Sequence, residues 1–461
     1  AGQMYGDIIY DKAPIMMRQL ERLVGDTGFR EGVQRYLQAA AFDNATWPDL
    51  IAALDKTTKA DLGVWSQVWV DTPGRPEFNI EVGEDGKAVI AQIDPAGLSR
   101  VWPQRFALSS LAGSSTMAQQ VESSHPTVPL SGYQPGQPVL FNADSMGYGL
   151  FPADIGQLTY WKTLNDLEKG ALLIDLYENL LEARSFGPVE YLAALVKIIP
   201  VEQNQLVLGL ALDQLFWVYE NLLIPEQQQP SQQAVEAMLW GCLAAETDPG
   251  RARLLYDAYS TLASSSERLA HLYAIWSGQE KLAAVTLSEQ DQTRLAEILA
   301  IRMPSKAGKI VAGQLSRIEN PDDRRRLEFI APSLSADESQ RDAFFKGLAE
   351  PVNRQTESWV LDALQHLHHP SRTTQSQKYL LPSLELLEEI QATGDIFFLT
   401  RWLHASFQNH GSPAAVALAD NFLAERPAYN AQLRMKVQQA LDLPRRAVVI
   451  RSRSNSGGKT Q

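Results

Sequence analysis

The sequence predicts a mainly α-helical protein interrupted by one small all-β domain. Three observations carry that expectation. Helical patterning with capping residues fills positions 11 to about 70. Alternating apolar and polar residues, punctuated by Gly and Pro, take over from 77 to about 153. Amphipathic helical segments return after Asp154 and persist to about 443. The expected divisions are therefore residues 1–76, 77–155 and 156–444, followed by a tail, 445–461.

The first helix is expected to start at Asp11 as cap, with Pro14 in its first turn, where a missing N–H costs nothing. It carries Met16, Met17, Leu20, Leu23 and Val24, and Gly25 is placed to end it. A second helix is expected over 29–40. Thr46-Trp47-Pro48-Asp49 resembles a capping box with Asp in place of Glu and opens a third helix through Leu54. A fourth spans 59–70, and Pro73-Gly74-Arg75-Pro76 stops the run.

Strands are then expected at 78–82 and 88–93, joined by the turn residues Glu84-Asp85-Gly86-Lys87. Further short strands fall at 105–111, 117–121 and 138–141, which together predict a small antiparallel β-sandwich. Beyond it, Leu164, Leu167, Ala171, Ile174 and Leu181 share one helical face, and similar amphipathic segments recur to the end of the pattern. They show no fixed period. Many short helices with short Pro-, Gly- or Ser-containing links predict paired helices stacked into a curved array. The tail, with Arg446, Arg451 and Arg453 among Ser, Asn and Gly, is read as disordered in preference to a basic contact arm.

A chain of 461 residues implies two or three domains, and 45% hydrophobic with 21% charged residues is ordinary for a soluble globular protein. No apolar run approaches the roughly 18–20 residues that span a bilayer. The net charge of −13 argues against nonspecific nucleic-acid binding, which needs cations to neutralise phosphates. Ala1-Gly2-Gln3-Met4 has no secretory pattern, and the address is left open between cytoplasm and periplasm. The single cysteine, Cys242, sits in an apolar helical stretch and reads as a small buried hydrophobe.

The order of motifs at the front of the chain is more specific. Tyr5-Gly6-Asp7-Ile8-Ile9-Tyr10-Asp11-Lys12-Ala13-Pro14 precedes Gly25-Asp26, Phe29, Tyr36-Leu37 and Phe42-Asp43-Asn44-Ala45-Thr46. Asp49-Leu50, Trp69 and Thr72-Pro73-Gly74-Arg75-Pro76 complete the series. This resembles the end of the catalytic domain in the aminopeptidase N family of zinc metallopeptidases. Val101-Trp102-Pro103, 139–144 and Gly147-Tyr148-Gly149 are similar to landmarks of that family's sandwich domain, although Leu150 and Phe151 stand where the family often has an Arg.

The resemblance implies the helical end of a thermolysin-like catalytic domain, a β-sandwich, and a HEAT-like superhelical array enclosing a substrate chamber. It implies that Tyr10 donates its phenol to the oxyanion formed on the scissile carbonyl. A preorganised O–H aimed at that oxygen stabilises the transition state more than the ground state, and a phenol with an ordinary pKa of about 10 keeps its proton at neutral pH. Tyr5 would line the substrate pocket. Zinc belongs to the intact parent, with H-E-x-x-H upstream of Tyr10, so the chain is expected to be its C-terminal portion and inactive alone. The implied partners are a peptide substrate and the missing N-terminal and catalytic domains.

Other candidates fare worse. Lys12, in a first helical turn, is expected to face solvent. None of the seven histidines is followed by Glu-x-x-His, and His366, His368 and His369 before Pro370 read as a helix-end cap, not a zinc site. There is no G-x-S-x-G elbow, and Gly457-Gly458-Lys459-Thr460 lacks the strand and helix of a phosphate loop. Asp322-Asp323-Arg324-Arg325-Arg326 reads as a solvated helix start. Arg324, Arg325, Arg326, Arg341, Arg354 and Arg372 are also candidates for a peptide carboxylate on a concave array. The residues leave two alternatives to a peptidase. One is a noncatalytic helical interaction scaffold; the other is epoxide chemistry, on the Tyr5/Tyr10 pair alone.

Overall fold

A π-helical turn, Ile8–Lys12, runs without a break into helix α1, Ala13–Val24. The helical backbone therefore starts ahead of Asp11, which lies inside a turn and does not begin the helix as expected. The computed structural model describes residues 8–111 and 118–456. Gly25 ends α1 with φ +82°, a conformation open to glycine, and its N–H bonds Glu21 O at 2.8 Å. Helix α2, Asp26–Ala39, follows at once. At the start of α3, Trp47–Asp55, Asp49 accepts both the Thr46 N–H (2.9 Å) and the Thr46 hydroxyl (2.6 Å). Helix α4, Leu62–Ser66, is shorter than expected because Asp61 caps it, accepting from Val64 N at 3.0 Å. It passes into a second π-turn, Gln67–Asp71.

These helices bury Leu20, Leu54, Leu62, Trp65 and Trp69 in one cluster that also takes Trp102 from beyond the helices. Each fully buried leucine contributes roughly 1.5–3 kcal/mol, an upper estimate because denatured chains already bury some surface.

Among the described residues six strands come next: β1 Glu77–Val82, β2 Ala88–Ile93, β3 Gln104–Ser110, β4 Ala118–Ser123, β5 Thr127–Leu130 and β6 Val139–Leu140. They form two antiparallel three-stranded sheets, β1-β2-β5 and β4-β3-β6. Phe78, Ile90 and Leu130 of the first sheet share a cluster with Phe106, Val121 and Val139 of the second, joined by Phe141 and Phe151. Phe78 stacks on Phe151 at 4.8 Å and meets Phe106 edge-on at 5.1 Å. Strand β5 is absent from the sequence expectation. It is four residues long and contains Pro129, which is tolerated because β5 lies at a sheet edge.

The chain forms two compact units, Ala1–Asn179 and Leu180–Gln461, with the division inside helix α5, Asp166–Leu181. The stretch after Asp154 is tied back to the sheets. Gln157 donates to Val139 O and Asn179 to Phe151 O, each at 2.7 Å, and Arg75 bonds Glu178 at 2.5 Å. Side chains of α1 are bonded to β3 and its neighbours.

The described regular elements of the second unit are all helices. Within it, arginines repeatedly cap the carbonyls at the end of an earlier helix. Arg302 donates to Thr261 O (2.8 Å), Arg317 to Trp276 O (2.8 Å) and Arg372 to Ser333 O (2.8 Å). Those carbonyls have no partner inside their own helix, and the positive charge suits that end of the dipole. The expected disordered tail is also corrected. Asp442–Ser456 is a helix whose Ala447 and Ile450 are buried. Arg451 bonds Gly411 O at 3.0 Å and Arg446 bonds Glu182 at 2.9 Å. Packing overrides the polar composition there, and residues 457–461 lie outside the described residues.

Candidate active-site tyrosine and its supports

Tyr10 sits in the middle of the Ile8–Lys12 π-turn with 60% of its surface exposed. Single π-turns joined to α-helices are frequent at functional sites, because the extra residue re-aims neighbouring side chains. The ring is thus at the surface of its unit. Tyr5 lies outside the described residues.

The helix behind Tyr10 is clamped to the sheets by polar side chains that sequence reasoning did not single out. Buried Gln19 donates to Arg105 O (2.7 Å) and Met146 O (2.5 Å) and accepts from Arg105 N (2.7 Å). Arg22 donates to Asp144 Oδ2 at 3.0 Å, while Asp144 Oδ1 accepts Ala107 N–H at 2.9 Å. Trp69 Nε1 donates to Pro103 O at 3.2 Å. These bonds join the helices before residue 76 to the sheets after it. They also explain Trp102 and Asp144: both belong to the joint between helices and sheets.

Lys12 corrects the expectation that it faces solvent. Its Nζ lies 5.2 Å from the centroid of the Tyr148 ring, and burial lowers its pKa. Tyr148 is flanked by Gly147 and Gly149, where a Cβ would meet Phe151 at 2.7 Å and Phe78 at 2.8 Å. The Gly-Tyr-Gly pattern is therefore a close-packing requirement. Burial raises the Tyr148 pKa; Arg75 acts to lower it and Glu178 to raise it.

The histidines have structural partners. His366 approaches Glu297 at 3.4 Å, and His368 bonds buried His410 at 2.8 Å. His369 Nδ1 accepts Ser371 N–H at 3.2 Å, capping the start of the next turn instead of the preceding helix end. Among the described residues no group of three or more His, Cys, Asp or Glu is placed to hold a metal ion.

The arginines expected as carboxylate ligands are largely committed. Arg341, Arg354 and Arg372 are buried on backbone carbonyls. Arg326 bridges Glu297 and Asp362, each at 2.7 Å, in the wall of a cavity of about 690 Å³. Cys242 is only partly buried, and burial raises its thiol pKa.

The family model for the Peptidase family M1 domain matches residues 1–69, the stretch that contains Tyr10. Aminopeptidase N of Streptomyces lividans is 36% identical over 86 residues, covering 19% of this chain and 10% of that protein. Aminopeptidase N of Lactobacillus delbrueckii subsp. lactis is 37% identical over 87 residues, 19% of this chain and 10% of that protein. The leucyl aminopeptidase of Saccharolobus solfataricus is 33% identical over 87 residues, 19% of this chain and 11% of that protein. The chain thus spans about a tenth of the length of the curated relatives it matches.

Proposed function

The chain belongs to the aminopeptidase N family of M1 peptidases, and from that premise we propose that it is the C-terminal portion of an aminopeptidase acting on peptide N-termini. Tyr10 is its transition-state donor. As the scissile carbonyl becomes tetrahedral, negative charge gathers on its oxygen, and the phenol O–H of Tyr10 bonds that oxygen more strongly than the flat ground state. The observation that carries this reading is the Tyr10-Asp11-Lys12 motif inside the matched stretch, with its ring exposed on a π-turn.

Peptidases of this family depend on zinc. The described side chains do not fit that ion, and on this reading it is held by residues outside this sequence. Residues 8–76 are then the helical end of a thermolysin-like domain. The helices from Leu180 onward are, on this reading, a HEAT-like array. Aminoacyl-p-nitroanilide hydrolysis tests the proposal. The zinc-loaded enzyme that includes residues 1–461 is expected to be active and this chain alone inactive. Zinc-dependent turnover by the chain alone would overturn it. An inactive whole protein would favour the noncatalytic scaffold.

A further inference from the structure

The clamp made by Gln19 and Arg22 is too distant to orient Tyr10. Gln19 lies nine positions along the helix from Tyr10, about 13.5 Å at 1.5 Å per residue, and a turn at a helix start frays readily. Lys12 is two residues from Tyr10 in the same π-turn. Its ammonium lies 5.2 Å from the Tyr148 ring centroid, within the roughly 6 Å reach of a cation–π contact.

The ring it meets is a fixed platform. Gln104 holds the Tyr148 backbone at both polar groups, accepting its N–H at 2.8 Å and donating to its carbonyl at 3.0 Å. Fully buried Trp69 packs against the ring with centroids 5.8 Å apart. The close approaches at Gly147 and Gly149 leave the loop little room to shift. The charged neighbours of the ring, Arg75 and Glu178, are bonded to each other at 2.5 Å.

We propose that Lys12 and Tyr148 are positioning residues for Tyr10: the ammonium seated on the fixed ring anchors the π-turn and so aims the phenol. This rests on the assignment of Tyr10 as oxyanion donor. The pair acts through Tyr10 and touches neither substrate nor metal.

The test is steady-state kinetics on the zinc-loaded enzyme that includes residues 1–461. Lys12→Met keeps the stem and removes the cation; Lys12→Arg restores it. Tyr148→Leu removes the ring; Tyr148→Phe keeps it. Lys12→Met and Tyr148→Leu are expected to lower kcat roughly tenfold or more, because a misplacement of about 1 Å is costly to a reacting geometry. KM should stay within about twofold, since a group used only in the transition state leaves ground-state binding alone. Lys12→Arg and Tyr148→Phe should retain kcat near that of the parent. In a Tyr10→Phe background, Lys12→Met should add no further loss. A full additional loss in that background, or an unchanged kcat for Lys12→Met while Tyr10→Phe is crippled, overturns the positioning role and leaves Tyr10 in place. An unchanged kcat for Tyr10→Phe instead overturns the donor assignment itself. A matched thermal melt of each variant separates lost folding from lost aim.

Discussion

At the scale of single residues, the loop carrying Tyr148 is closely packed. Gly149 has no room for a Cβ, which would lie 2.8 Å from Phe78 and 2.9 Å from Pro76 O. Gly149→Ala should therefore destabilise the first unit by about 1–3 kcal/mol, the usual cost of overpacking. The check is a lower denaturant midpoint with an unchanged slope; an unchanged midpoint would show that the loop yields freely. Tyr10 is singled out by the sequence because its motif is local and the landmarks downstream of it keep their spacing. Gln19, Arg22 and the seat of Lys12 are not. Gln19 finds its partner 86 residues along the chain, and nothing in a helical glutamine announces that.

At the scale of elements, helices with a strong apolar stripe and a local cap were readable, as Thr46 and Asp49 show. Elements whose formation depends on distant packing were not. Strand β5 is paired at an edge despite Pro129, and Asp442–Ser456 is helical because Ile450 is buried.

The junction between Glu357–Leu367 and the loop before Pro413–Ala424 was equally hidden. There His368 Nδ1 and His410 Nε2 lie 2.8 Å apart, both buried. Tyr379 meets His368 edge-on, Ser376 Oγ lies 3.4 Å from His410, and Asn409 bonds His368 O. Burial lowers the pKa of His410 to about 4; burial, then His410, takes His368 well below its ordinary range. A depressed histidine pKa means that the folded state binds fewer protons than the unfolded one. Its stabilisation is complete above the unfolded value of about 6.5 and is lost as pH falls from there toward about 4. Lowering pH from about 7 to about 5 should lower Tm, and His410→Gln should flatten that fall. Parallel pH profiles would remove the pair from the explanation.

At the scale of the whole molecule, the fold class was legible: mainly helical, with small antiparallel sheets between helical stretches. Composition changes at 77 and 155, and hydrogen bonds from Gln19, Trp69, Gln157 and Asn179 cross those positions within the unit that runs through Asn179. Among the described residues no helix is long and apolar enough to cross a membrane. The most direct test is Tyr10→Phe in the zinc-loaded enzyme that includes residues 1–461. Removing one oxyanion donor should lower kcat by about 10²–10³, with KM little changed and Tm unmoved, because the ring is 60% exposed. A kcat equal to that of the parent enzyme would contradict the account.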